Sequence, residues 1–461
     1  MSHFLLPSTP IYGHVMPMLA IGRGLAARGH RVTVLTGRKY AGAVAAYGLS
    51  FLPLPSEVDY DDADLENWLP NRHKYSGIAA GRYDVLGLFI RPLRAQHDSV
   101  LRALATDHYD GIVCEASFLG VMPLLLGVPP GQRIPIVGVS ATPMTLTSVD
   151  CAPFGSGLDP GDSPFSRLRN RQINFLLHRG PLRSLHATLE ATLVELGVPR
   201  ARTNYFDQAS RFDVTFQLAV AGIEYPRREL PPTVRFVGPL RTPLPTHTRL
   251  PQWWADLSGP QPVVHVTQGT LDNADPAKLL VPALRGLARE NVLVVASTGG
   301  RPVDSVVAAY GGPLPENARV AEFIPYDRLL PQTDVVVTNG GYGGVQRALF
   351  YGLPIVVAGS TEDKPEVAAR VAWSGSGINL RTGKPSPGRL RTAVLTALRD
   401  PRYRLAAQRL QREIAAQGDP LATIMTTLER LTATPHQVEA TPTRGADRPS
   451  LAYDRSNLGA F

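Results

Sequence analysis

Lysine is scarce in this chain. Five lysines stand at Lys39, Lys74, Lys278, Lys364 and Lys384, so the net charge of +8 rests almost wholly on arginine. The arginines are scattered, and no basic run carries interleaved aromatics, which argues against a nucleic-acid surface. Cysteine is rarer still. Cys114 and Cys151 make neither a disulfide framework nor a CxxC metal site, and a reducing cytoplasm is the expected compartment. Long apolar runs are missing too. Val121–Val128 falls far short of the roughly 20 residues a membrane helix needs, and the N-terminus has no basic leader pattern. GxxxxGK[ST], GxSxG and metal-ligand spacings of His and Cys are all absent. A P-loop NTPase, a serine hydrolase of the elbow type and a dedicated metal site are therefore not expected.

What is present reads as α/β. With 461 residues, 44% of them hydrophobic, the chain can build two or three cores of ordinary size. Short Val/Ile/Leu strands alternate with helical segments from residue 4 to 139 and again from 263 to 358. That rhythm implies two parallel-sheet, doubly wound halves. A Pro-rich stretch from Phe236 separates them, and Thr434 onward is polar and expected to be disordered. The expected layout is a first unit over 1–235, a linker over 236–260, a second unit over 261–433 and a tail over 434–461. Ligands of such folds bind outside the carboxyl ends of the strands, here in the cleft between the halves.

Three strand–turn–helix junctions carry chemistry. In "TNGGYGGVQRALFYGLP" (338–354), Gly340, Gly341, Gly343 and Gly344 let an anion approach backbone N–H groups at a helix start. Gly269 and Thr270, after the first strand of the second half, are placed to serve the same anion. In the first half the junction 7–17 holds His14, a candidate general base. Glu115, ending a later strand of that half, is the candidate carboxylate to orient it. His30, His97 and His265 read as structural.

These residues resemble a known family. "GHVMPMLAIGRGLAARGHRVTVLT" (13–36) is similar to the opening turn, helix and strand of the UDP-glycosyltransferase superfamily, nucleotide-sugar enzymes of GT-B fold. "FIPYDRLLPQTDVVVTNGGYGGVQRALFYGLPIVVAGSTEDKPEVAARV" (323–371) resembles its donor-binding signature, and the bacterial macrolide and natural-product members are most similar. The resemblance spans roughly residues 1–430. It implies two Rossmann-like domains facing each other, the first binding the acceptor and the second the donor. It implies inverting transfer of a hexose or deoxyhexose, without metal or other cofactor, from a dTDP- or UDP-sugar to a hydroxyl of a small apolar acceptor. The expected protein is a monomer or homodimer. His14 matches the base, and Glu115 stands for the aspartate that usually supports it.

The resemblance also implies donor roles. Phe323 matches the aromatic that stacks on the nucleobase. Asn339 replaces the diphosphate-binding histidine, and Gly340, Gly341, Tyr342, Gly343 and Gly344 fill the phosphate stretch. Arg347 stands where most members have the glutamate that grips both ribose hydroxyls. Asp363 matches the aspartate that binds the sugar. Lys364 replaces the neighbouring glutamine, and Glu362 completes that stretch. Arg347 cannot accept a hydrogen bond. The donor is then a deoxythymidine-diphosphate sugar, or the ribose is read elsewhere, or the site is degenerate. The last option leaves a second reading, a catalytically weak nucleotide-sugar-binding relative or auxiliary protein. A nucleotide-sugar 2-epimerase is a third, and the opening turn argues against it. The acceptor pocket is expected from loops 56–95 and 142–166, with Tyr60, Trp68, Phe89, Met144 and Phe154.

Overall fold

Residues 1–200, 203–240, 250–270 and 272–433 are described in a computed structural model. The chain opens with β1 (His3–Pro7), α1 (Tyr12–Ala27), β2 (Arg31–Thr36) and β3 (Ser50–Pro53). Then come α2 (Leu93–Thr106), β4 (Gly111–Glu115), β5 (Ile136–Ser140), α3 (Pro164–Arg179), β6 (Val214–Gln217) and β7 (Val234–Phe236). All seven strands pair in parallel, in the order β3-β2-β1-β4-β5-β6-β7. β1, β4 and β5 are buried throughout, as strands covered on both faces must be.

A second parallel sheet repeats the plan. Its strands are β8 (Val263–Thr267), β9 (Leu293–Ser297), β10 (Ala318–Ala321), β11 (Val335–Thr338), β12 (Ile355–Val357) and β13 (Gly377–Asn379). Their order is β10-β9-β8-β11-β12-β13. α4 (Tyr342–Phe350) follows β11, α5 (Lys364–Trp373) follows β12, and the described chain ends with α6 (Pro420–Ala433). The strand order reverses direction between β1 and β4 in one sheet and between β8 and β11 in the other. Those are the two points where doubly wound folds open a ligand crevice.

The sequence reading differs from the structure in several places. β6, β7 and β13 were not expected. β7 and β13 have three residues each, too few for a pattern to show, and β13 lies within a run of Ser and Gly. Pro92 stands directly before α2 and separates it from the helical turns that precede it. The expected linker starts on β7, its stretch 241–249 lies outside the described residues, and Trp253 and Trp254 pack under the second sheet. The stretch 434–461, expected to be disordered, also lies outside them. α6, assigned by sequence to the second unit, packs on the first. Ile424, Met425 and Leu428 share a core with Val15, Met18 and Leu19 of α1. Their spacing makes one apolar stripe, which finds its partner across the halves. Among the described residues no helix is long and apolar enough to cross a membrane.

Candidate active site

The first-half crevice holds the expected pair. His14 lies in the first turn of α1, just after β1, and Glu115 is the last residue of neighbouring β4. The strand order thus places the two side chains on adjacent strand ends. Nδ1 of His14 is 3.0 Å from Oε1 of Glu115, and the Glu115 side chain is only 2% exposed. The contact is an ion pair only when the imidazole is protonated, and its N–H direction lies outside hydrogen-bond geometry. Oε1 of Glu115 also accepts from the amide of Ser117 at 2.7 Å.

Burial disfavours a charged imidazole, but the charge of Glu115, with smaller help from Asp363 and Asp62, outweighs it and raises the proton affinity of His14. Burial pulls Glu115 upward in turn, while the imidazolium and the Ser117 amide pull it below the usual carboxylate range. With Nδ1 facing Glu115, Nε2 is the nitrogen left for a substrate proton. The Phe89 ring lies 6.2 Å from that of His14 and 6.2 Å from that of Tyr205, forming an aromatic wall beside the imidazole. Tyr60 stacks on Trp68 at 5.1 Å and is almost fully buried, as is Met144.

Across the cleft, the second crevice brings the two glycine loops together. Gly341 caps α4 with no side-chain cap and no acidic residue in the first turn. A Cβ at Gly341, Gly343 or Gly344 would meet nothing within 4 Å, so the space beside that helix start is open. First-turn amides of a helix have no partner within it. Gly340 has φ +94° and lies against Val357, a position only glycine fills without strain. Gly269 follows β8 with its amide on Thr267 Oγ1 at 3.2 Å, and Thr270 is exposed beside it.

The side chain of Asn339 is buried, and its Nδ2 donates to the carbonyl of Gln268. It fastens one glycine loop to the other. Tyr342 points elsewhere: its hydroxyl donates to Glu224 Oε1 of the first half at 2.7 Å. Only its backbone can face an anion at the helix start. Sequence reasoning missed Asn273, whose Nδ2 donates to the carbonyls of Gly269, Thr298 and Gly299 at 3.0–3.1 Å and braces that loop. An amide side chain just after a glycine turn was the available signal.

Phe323 is 64% exposed, with its ring edge over Gly300, where a Cβ would come within 2.8 Å of it. Arg347 lies 3.7 Å from Asp327 and 5.9 Å from the Tyr326 ring centre. Asp363 caps α5. Burial first, then the charge of Glu362, pushes its carboxyl up to about 6, while Lys364 and His14 pull the other way. Lys364 is 4% exposed, pairs with Glu362 and donates to Thr361 at 3.1 Å. Glu362 has φ +56° and stands 3.7 Å from Arg72 of the first half. The His14–Glu115 pair of one half and the Asp363 stretch of the other are therefore close enough to influence each other's charge. Among the described residues no group of three or more His, Cys, Asp or Glu is placed to hold a metal ion.

Known proteins share this architecture. Residues 304–431 match the model of the erythromycin biosynthesis protein CIII-like C-terminal domain. The 4'-demethylrebeccamycin synthase of Lentzea aerocolonigenes is 39% identical over 90% of this chain and 96% of its own. UDP-glycosyltransferase 2 of Phaeomoniella chlamydospora is 35% identical over 94% and 96%. The solved glycotransferase of kitacinnamycin superposes with a TM-score of 0.69 at 23% identity, over 93% of this chain and 98% of that one. Its likeness concerns the fold, and the sequence relatives concern the activity. With relatives of 35–39% identity over nearly the full length and the two-sheet fold in common, the chain belongs to the GT-B glycosyltransferases of the natural-product type, which transfer sugars from nucleotide sugars.

Proposed function

We propose that the protein transfers a hexose or deoxyhexose, with inversion and without a metal or further cofactor, to a hydroxyl of a small, largely apolar acceptor. The observation that carries this reading is the His14–Glu115 pair facing Asp363 across the cleft, with electrostatic coupling in both directions. Nε2 of His14 takes the proton of the acceptor hydroxyl as its oxygen attacks the anomeric carbon. The bond from that carbon to the diphosphate oxygen breaks in the same displacement, on the opposite face. Negative charge grows on the leaving diphosphate, where the amides of Gly343 and Gly344 and the loop at Gly269 and Thr270 stabilise it. Preorganised amides perform the work a cation does elsewhere, which supports the metal-independent reading.

Asp363 binds the sugar, beside Glu362 and Lys364, and Phe323 stacks on the base. Arg347 sits on α4 near the expected ribose and has no acceptor to offer. The donor assigned here is accordingly a deoxythymidine-diphosphate sugar. Titration calorimetry with dTDP and UDP tests the nucleotide, and a tenfold preference for UDP would overturn it. Mass spectrometry of a donor panel with phenolic and polyketide acceptors tests the transfer. Loss of product in His14→Ala with retained nucleotide binding is the expected outcome. Transfer at wild-type rate in that variant would remove His14 as base, whereas nucleotide binding without transfer by the wild-type protein would favour the auxiliary-protein reading.

A further inference from the structure

A buried charge cluster joins the two halves, and it takes no part in the chemistry described above. Glu366 and Arg370 lie four residues apart on α5, so both side chains leave one face of the helix. Arg370 is 1% exposed. Its Nη1 is 2.7 Å from Glu366 Oε2, and its Nε is 2.9 Å from Glu224 Oε2 of the first half. Its guanidinium also lies 4.3 Å from the centre of the Tyr225 ring. A buried cluster of this kind is weak evidence for stability, since desolvation offsets most of the attraction. Its geometry indicates a different use.

Several of the remaining donors and acceptors of Arg370 and Glu366 reach one loop of the first half, between β5 and α3. Nη2 of Arg370 donates to the carbonyl of Met144 at 3.1 Å. The other oxygen of Glu366, Oε1, accepts from the amides of Gly155 at 2.8 Å and Gly157 at 3.0 Å. Both glycines have positive φ, +91° and +61°, which turns their N–H groups toward one point. The loop belongs to the first half in sequence, yet it is tied to a helix of the second. That helix begins at Asp363, three residues before Glu366.

We propose that Glu366 is a positioning residue. It fixes loop 144–157 to the helix that carries Asp363, so that the wall of the acceptor site is set by the donor half. The proposal rests on the transferase reading for its kinetic consequence, but its structural part does not.

Glu366→Gln is the direct test, on the full chain. Glutamine has one oxygen, so it cannot face two loop amides and the Arg370 guanidinium together without turning an NH₂ group toward a donor. Hydrogen exchange at the amides of Gly155 and Gly157 should accelerate by about tenfold or more. The acceptor KM should rise about fivefold, with kcat at saturating acceptor and the rate of donor hydrolysis within about twofold of wild type. Unchanged exchange, or a parallel fall in transfer and donor hydrolysis, would overturn the proposal. If E366Q does not fold, Glu366→Asp keeps the charge and withdraws it from the loop, and the same split is expected. If neither folds, wild-type exchange decides, and unprotected amides at Gly155 and Gly157 sink the idea. Exchange is read without substrate, so its outcome is separable from any failure of the wild-type protein to transfer a sugar.

Discussion

Asn339 and Gln268 join the two anion loops: the side-chain amide of one donates to the main-chain carbonyl of the other. The loops follow β11 and β8, which are neighbours at the point where the second sheet reverses its order. One buried amide therefore sets the spacing of the two glycine turns. It does so without needing to touch a ligand.

Asn339→Ala removes that tie and leaves the Gln268 carbonyl without this partner. A stability loss of about 1–3 kcal/mol is expected for an acceptor left unpaired in the interior. Nucleotide affinity should also fall by about tenfold, because preorganised loops lose their register. Thermal unfolding and calorimetry check the two parts. Wild-type affinity in a destabilised variant would mean that the loops hold their spacing without the amide.

Acid should switch the enzyme off through His14. The base works only when neutral, and its proton affinity is raised above the ordinary value. Activity per unit kcat/KM should thus fall as pH drops through a limb above 6.5. Glu115→Gln removes the charge that raises His14 and leaves the burial that lowers it. The acidic limb should then move to lower pH, while the rate at pH 8 falls about tenfold or more as the imidazolium loses its support. A limb that stays in place would show that Glu115 does not set the proton affinity of the base.

Asp363 gives a stability prediction with a definite sign. Its carboxyl keeps a proton up to about pH 6, against 3.8 for an ordinary aspartate. Between those values the folded protein binds more protons than the unfolded chain, so stability falls as pH rises through that window. Asp363→Asn removes the penalty. Unfolding at pH 7.5 should show a gain of about 1–2 kcal/mol after allowance for solvent access and the lost attraction to His14, with a smaller gain at pH 4.5. Transfer should be lost in the same variant, a trade common at functional sites. An equal gain at both pH values would place the strain outside the ionisation of this carboxyl.

Much of this was legible in the chain because the informative stretches are local. β1, β4, β8 and β11 are short, largely apolar and buried, and each ends near a candidate site residue or a glycine turn. Strand and turn together say which residues reach the strand ends, so the positions of His14, Glu115 and the loops at 269 and 339–344 could be anticipated, though not their roles. Tyr342 could not be placed, since its hydroxyl partner, Glu224, is 118 residues away in the other half. Glu224 in a short Gly-Ile-Glu-Tyr turn looks like a solvated carboxylate and is almost wholly buried. Arg370 and Glu366, four residues apart on one helix, carry no sign of their burial in the sequence for the same reason. Contacts between halves have no period in the sequence, and α6, which crosses from the second half to pack on α1, shows the same gap.

Phe323 offers the test in which folding and binding separate most cleanly. A phenylalanine 64% exposed contributes little burial to the folded state. Phe323→Ala should leave the folding stability nearly unchanged, within about 0.5 kcal/mol. Stacking of a base on an aromatic ring contributes about 1–3 kcal/mol, so nucleotide binding should weaken by roughly 5- to 150-fold. The loss should be similar for dTDP and UDP, because both bases present a π-face to the ring. Calorimetry on the variant decides. Unaltered affinity would move the nucleobase off this ring, and a loss confined to one nucleotide would make Phe323 a reader of base identity rather than a platform.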